Sequence, residues 1–296
     1  MREGAQRGPG TGAASLLARA RFELVPTKTV EHQLPFLPEG ATVTVTSSPR
    51  RGPEPTLALV ERLARLGFRA VPHLAARHVT GPGHLEEIAA RLDRAGIHEV
   101  FVVGGDETEP MGPFPSALSL LTALAGMGHG FEDVGIAGYP ERHPLIDDAT
   151  LVQELLAKRR YATYLVTQIC FDPHAIFAWA SRLRAEGVDL PVHIGMPGVA
   201  TRRKLLEISL RIGVGDSLRY LRKHGGLARR LLRRSGYRPD AFLAGVDHLL
   251  GPTRANVVGF HINTFNQVES TERWRQEVLS RRRPVDFPAA VDGARP

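Results

Sequence analysis

Residues 99–140 read EVFVVGGDETEPMGPFPSALSLLTALAGMGHGFEDVGIAGYP. The stretch opens with Glu99–Gly105, an apolar run rich in Val and Phe with no polar alternation. Such a run suits a strand covered on both faces of a parallel sheet. A helical pattern follows over Ser116–Met127, and a second apolar run, Val134–Tyr139, closes the unit. Strand, helix and strand in one span form the crossover that joins neighbouring parallel strands.

The same alternation extends in both directions. Runs at Phe22–Val25, Ala41–Thr46 and Arg69–Leu74 precede the unit, and runs at Tyr164–Phe171, Val192–Met196 and Val257–Thr264 follow it, eight in all. Helical spacing fills the intervals at Pro55–Leu66, Gly83–Ala95, Asp147–Arg159, Pro173–Glu186, Thr201–Arg211 and Asn266–Leu279. Asp172-Pro173 supplies a cap and a first-turn proline. Eight alternations predict an α/β protein, a (β/α)8 TIM-type barrel over residues 21–280. The alternative is an open doubly wound sheet, and no G-x-G-x-x-G follows the first strand to support it. Residues 1–20 are expected to form a polar, flexible leader and 281–296 a polar tail.

The longest interval lies between the seventh and eighth strands. It holds two further helical stretches, Ser217–Leu232 and Asp240–Leu250, the first being the most basic part of the chain. This extra basic segment reads either as a hairpin with a solvated arginine face or as a polyanion site.

The chain is 43% hydrophobic and 23% charged, a globular composition able to bury a core. A net charge of +7 suits nucleic acid and anionic small molecules equally. Two Trp and five Tyr offer few platforms for stacking single-stranded nucleic acid. Cys170 is the only cysteine, which excludes an internal disulfide, makes a thiolate metal cluster implausible and points to a reducing cytoplasm. No metal-ligand spacing, P-loop, H-E-x-x-H or G-x-S-x-G pattern is present, and no apolar run has membrane-helix length.

In such barrels the chemistry gathers where the strands end. Glu23 alternates with Phe22 and Leu24, so it points the opposite way from them, and an acid turned into a barrel is expected to have its pKa raised by desolvation. The other strand ends carry Thr46-Ser47, His73, Gly104-Gly105-Asp106, Tyr139 to His143, Thr167-Gln168 and His261 to Thr264. Together they imply an elongated polar ligand crossing one face.

The series FELVP, VTVTSS, PHL, GGD, GYPERHP, TQICFD and GFHINTFN, in this order at the predicted strands, resembles the bacterial methylenetetrahydrofolate reductases. The resemblance implies the same barrel, FAD as cofactor, NADH or NADPH as reductant, a folate substrate, a ping-pong scheme and a homo-oligomer. It implies Glu23 as the acid that protonates N10 of the folate, Asp106 as an acid between flavin and pterin, and Gln168 as a contact to folate and nicotinamide. It places Thr46 and Ser47 near the isoalloxazine, His73, Gly105, Tyr139 and His143 around FAD, and Lys158 on a phosphate. Asn266 and Gln267 stand where the family has a folate-contacting Asn-Arg pair. Gly104 replaces a flavin-contacting arginine, and Ala75 a small polar residue. Two other readings stay open: a flavin-free or oxidative-direction folate oxidoreductase on the same barrel, and a non-catalytic RNA-binding protein using Arg219–Arg238.

Overall fold

The computed structural model describes residues 12–48, 51–141, 146–201, 236–250 and 255–281. Eight parallel strands close into one barrel: β1 (Arg21–Leu24), β2 (Thr42–Val45), β3 (Arg69–Ala75), β4 (Glu99–Val103), β5 (Asp133–Gly138), β6 (Tyr164–Thr167), β7 (Val192–Pro197) and β8 (Val257–Asn263). Each strand pairs with the next in sequence, and β8 returns to β1, bringing Asn263 beside Glu23. The helices are α1 (Ala13–Ala18), α2 (Glu54–Arg65), α3 (Pro82–Arg94), α4 (Ala117–Met127), α5 (Asp148–Lys158), α6 (Pro173–Ala185), α7 (Asp240–Leu249) and α8 (Val268–Ser280). No helix among the described residues is long and apolar enough to cross a membrane.

Strand alternation divides the core in two. Phe22, Leu24, Val43, Val45, Val100, Val102, Ile194, Phe260 and Ile262 are buried in the main apolar cluster that joins sheet and helices, together with Trp274 of α8. The opposite residues fill the barrel. Arg21 forms an ion pair with Glu99 and lies 4.4 Å over the Tyr164 ring, whose neighbour His193 meets it edge-on with centroids 5.5 Å apart. Val71, Phe101 and Val166 pack beside Tyr164 as a second, smaller cluster.

Two inward glycines make room for these rings. A Cβ at Gly135 would stand 2.3 Å from the Tyr164 ring, and one at Gly259 would stand 2.6 Å from His193 Nδ1. Gly135→Ala is therefore expected to cost about 1–3 kcal/mol through overpacking, read as a lower denaturation midpoint. An unchanged midpoint would mean that Tyr164 moves freely.

The structure departs from the sequence expectations at three places. Within the stretch expected to be a flexible leader, Ala13–Ala18 form a helix that buries Leu16 and Leu17, and the Arg275 guanidinium of α8 donates to the Leu17 and Ala18 carbonyls at its end. β4 stops at Val103 and not Gly105, because Gly105 turns the chain with φ +101. β6 stops at Thr167 and not Phe171, since the chain past Gln168 turns so that the Cys170 thiol bonds the Asp172 carbonyl. The helix expected at Asp240–Leu250 is α7, whereas Ser217–Leu232 and most of Thr201–Arg211 lie outside the described residues.

Candidate active site

Glu23 enters the barrel from β1 near its C-terminal end. His261 Nε2 donates to its Oε2 at 2.9 Å, and Asn263 Nδ2 donates to its Oε1 at 2.5 Å. Register explains the pairing. Residues 259, 261 and 263 share the inward face of β8, and Asn263 lies opposite Glu23. The Glu23 main-chain carbonyl is also tied, accepting from the Thr264 hydroxyl. His73 of β3 brings Nε2 to 3.8 Å from Glu23 Oε2, and Thr44 Oγ1 lies 3.4 Å from His261 Nε2.

This arrangement corrects the expectation of a raised carboxyl pKa. Burial does push the Glu23 pKa up, but the His261 hydrogen bond, the nearby His261 and His73 rings, and the Asn263 amide together bring it below its ordinary value. Glu23 thus rests as a carboxylate. His73 is driven the other way: burial lowers its pKa to about 4, against a raising effect from Glu23, so its imidazole is neutral. Its ring packs on Phe101 with centroids 4.7 Å apart. Glu23, His73 and His261 present donor atoms within 4.8 Å of one another, a span a small cation can bridge. In the structure the Glu23–His261 hydrogen bond occupies that span.

The strand ends above this cluster carry the other sequence-derived residues. Asp106 follows β4, and burial together with the Asp106 charge raises the Tyr139 hydroxyl pKa. Gln168 continues β6, its N–H donating to the Gly138 carbonyl beside Tyr139. Thr46 extends β2 alongside Leu24 of β1. Ser47 donates to His78 Nδ1 at 3.2 Å, and His78 Nε2 donates to Glu107 Oε1 at 2.5 Å, tying the ends of β2, β3 and β4 together. Glu107 Oε2 crowds Gly105, where a Cβ would stand 2.7 Å from it. A Cβ at Gly104, by contrast, would meet no atom within 4 Å, so a flat ligand can approach its backbone.

Two residues assigned from sequence stand elsewhere. Lys158 closes α5, which leads into the start of β6, the end opposite Gln168, and its ammonium pairs with Glu154 at 2.9 Å. Asn266 spends its amide on structure: Oδ1 accepts from Val25 N, and Nδ2 donates to the Val25 carbonyl and Thr27 Oγ1. These bonds hold Phe265 and Asn266 at φ 52 and 59, a left-handed pair without glycine after β8. Gln267 follows and enters α8. His143 lies outside the described residues. His261, Asn263 and His73 form the environment of Glu23, yet of these the motifs mark only His73 as a site residue. The equal parity of 259, 261 and 263 on one strand is the signal that finds the other two.

An acid, an amide and a hydroxyl thus gather at the strand ends of a closed parallel barrel, where barrel enzymes carry their active sites. Similarity to known proteins specifies the family. The methylenetetrahydrofolate reductase family model matches residues 28–210, and the chain belongs to that family. Methylenetetrahydrofolate reductase 2 of Saccharomyces cerevisiae is 25% identical over 153 residues, 48% of this chain and 25% of the yeast protein. Methylenetetrahydrofolate reductase 1 of Schizosaccharomyces pombe is 29% identical over 122 residues, 38% of this chain and 20% of its own. The chain thus matches a quarter or less of these relatives' length. Among solved structures, a GH18 chitinase from Pseudoalteromonas aurantia superposes with a TM-score of 0.50 at 11% identity, covering 88% of this chain and 99% of that one, a likeness of fold alone.

Proposed function

We propose that the protein is a folate-linked one-carbon oxidoreductase that reduces methylenetetrahydrofolate with a hydride originating on NADH or NADPH. The observation that carries this reading is Glu23, buried and held by two donors inside a barrel whose strand ends carry Asp106, Tyr139 and Gln168. In this reading Glu23 passes a proton to the folate nitrogen that leaves the methylene bridge, Asp106 accepts from the pterin, and Gln168 orients pterin and nicotinamide in turn. Reduction of the methylene group consumes one hydride and one proton, so a proton donor at the ring nitrogen is required.

The open backbone at Gly104, with Gly105 and Asp106 next in the chain, supports the approach of the flat ring system of FAD there. When bound there, flavin would carry the hydride between nicotinamide and folate. A second reading, direct transfer from nicotinamide to folate, is favoured by one observation: Lys158, the residue assigned to the FAD phosphates, pairs with Glu154 at the far end of β6. The physiological direction, a cytoplasmic setting and a homo-oligomeric state belong to the same proposal.

The deciding experiment is the absorption spectrum of the purified protein with and without added FAD, before and after anaerobic NADH or NADPH, followed by methylenetetrahydrofolate. Formation of methyltetrahydrofolate is expected. Bleaching of a flavin band selects the first reading, and turnover in a colourless protein selects the second. No turnover with either nicotinamide, with or without FAD, overturns both.

A further inference from the structure

We propose that His261 is the residue that reloads Glu23 with its proton on each turnover, the imidazole taking up a proton at Nδ1 as it releases one from Nε2. This rests on the reading of Glu23 as the proton donor and adds a positioning residue to it. His261 is 2% exposed, and its Nε2 is committed to Glu23 Oε2. Its Nδ1 is buried with no hydrogen-bond partner from the protein. A buried ring nitrogen without a protein partner calls for a water, an ion or a chemical role. Here one nitrogen serves the acid and the other faces away from it, which is the geometry of a relay.

The surroundings support passage on the Nδ1 side. His193 is on the same inward face of β7 as Gly195, which lies opposite His261, and occupies the space that Gly259 leaves open, one layer below. His193 Nδ1 is also buried without a partner, and the Tyr164 hydroxyl lies beside Arg21 and Glu99. Tyr164 in turn stacks under Arg21, whose partner is Glu99. The groups bearing charge or titrating in this interior are Glu23 and Arg21 from β1, His73 from β3, Glu99 from β4, Tyr164 from β6 and His193 from β7. A column of polar atoms thus leads from the acid toward the other end of the barrel. A folate stacked over the strand ends would cover Glu23 from outside, which leaves this column of polar groups as the way for a proton to reach it.

The resting carboxylate needs such a source. Glu23 is held ionised by its donors, so the proton it gives away must come from a neighbour. The step is balanced: the His261 Nε2–H bond breaks, a Glu23 Oε2–H bond forms, that proton goes to the folate nitrogen, and one solvent proton arrives at Nδ1. The starting tautomer returns when, after the product leaves, Nε2 takes up a solvent proton and Nδ1 gives its own back, so that one proton is consumed per cycle.

Two measurements test this. His261→Gln keeps an amide donor for Glu23 but cannot relay. It is expected to lower kcat for folate at least about tenfold, with KM within about twofold, and to change the pH profile and solvent isotope effect of the folate step. A wild-type kcat and pH profile in this variant would overturn the relay, since a merely structural donor is replaced by Gln. The second measurement needs no turnover and covers a variant that fails to fold. In wild-type protein labelled with 15N-histidine, His261 Nε2 is expected to carry a proton at neutral pH and to shift in Glu23→Gln. An unprotonated Nε2 would overturn the proposal. A wild-type protein without folate turnover would instead reject the function proposed above, while the NMR result still decides where the pair holds its proton.

Discussion

Glu23→Gln is expected to lower folate turnover by about 10²–10⁴-fold, the usual worth of a positioned acid. The side chain keeps its length, and its amide can still meet Asn263 and His261, so the fold should persist with a melting temperature within a few degrees of the parent. The nicotinamide half of the reaction needs no proton from position 23 and should continue. The measurement is a pair of single-turnover experiments, one following nicotinamide oxidation and one following methyltetrahydrofolate formation. Loss confined to the second supports the assigned role. Equal loss in both would indicate that the substitution disturbs the whole face, and retention of folate turnover within about threefold would remove Glu23 from the mechanism. The contrast with His261→Gln is informative, because a residue that acts through Glu23 should reproduce part of this loss and never exceed it.

The barrel is legible in the sequence because parallel strands buried on both faces carry an unbroken apolar signal. EVFVV and VGIAG announce themselves in this way, and β4 and β5 begin within one residue of the expected positions. Strand ends are less legible. Gly104-Gly105 and the residues after Gln168 keep strand-like composition while their backbone turns away, so composition overruns the ladder. The helix inside the expected leader is hidden for a related reason. Six residues offer little periodicity, and their stability comes from Leu16 and Leu17 packing and from Arg275, 258 residues away in the chain. At the site, strand alternation sets Glu23 opposite to Phe22 and Leu24, but neither its inward direction nor the sign of its pKa shift follows from that. That sign depends on which residues β8 places beside it, and closure of the barrel sets that register. Asn266 shows the opposite failure. An asparagine in a motif reads as a ligand contact, whereas both polar atoms of its side chain are used to brace the end of β1.

Stability should fall steeply as the pH drops from about 6.5 toward 4, before most carboxylates are protonated. The cause is the pair of neutral histidines inside the barrel. Burial, with an opposing contribution from Glu23, sets the His73 pKa at about 4, and burial beside Arg21 and His261 sets that of His193 at about 3. In the unfolded chain both return to about 6.5. Between those values the unfolded state binds protons that the folded state refuses, so stability rises with pH and is lost on acidification. Each histidine contributes a loss of order 3 kcal/mol over this window, against a typical total of about 5–15 kcal/mol. Glu23 adds to the loss in a lower window: its pKa is depressed in the folded state, so its contribution is present above about 4.5 and disappears as the pH falls through the folded value. Denaturant titrations at pH values of about 7.5, 6.5, 5.5 and 4.5 would read the effect directly. His193→Gln, which cannot take up the proton, should reduce the slope by close to one proton between pH of about 6.5 and 4, whatever it does to absolute stability. A stability independent of pH across that range would mean that His73 and His193 take up protons in the folded protein at the same pH as in the unfolded chain.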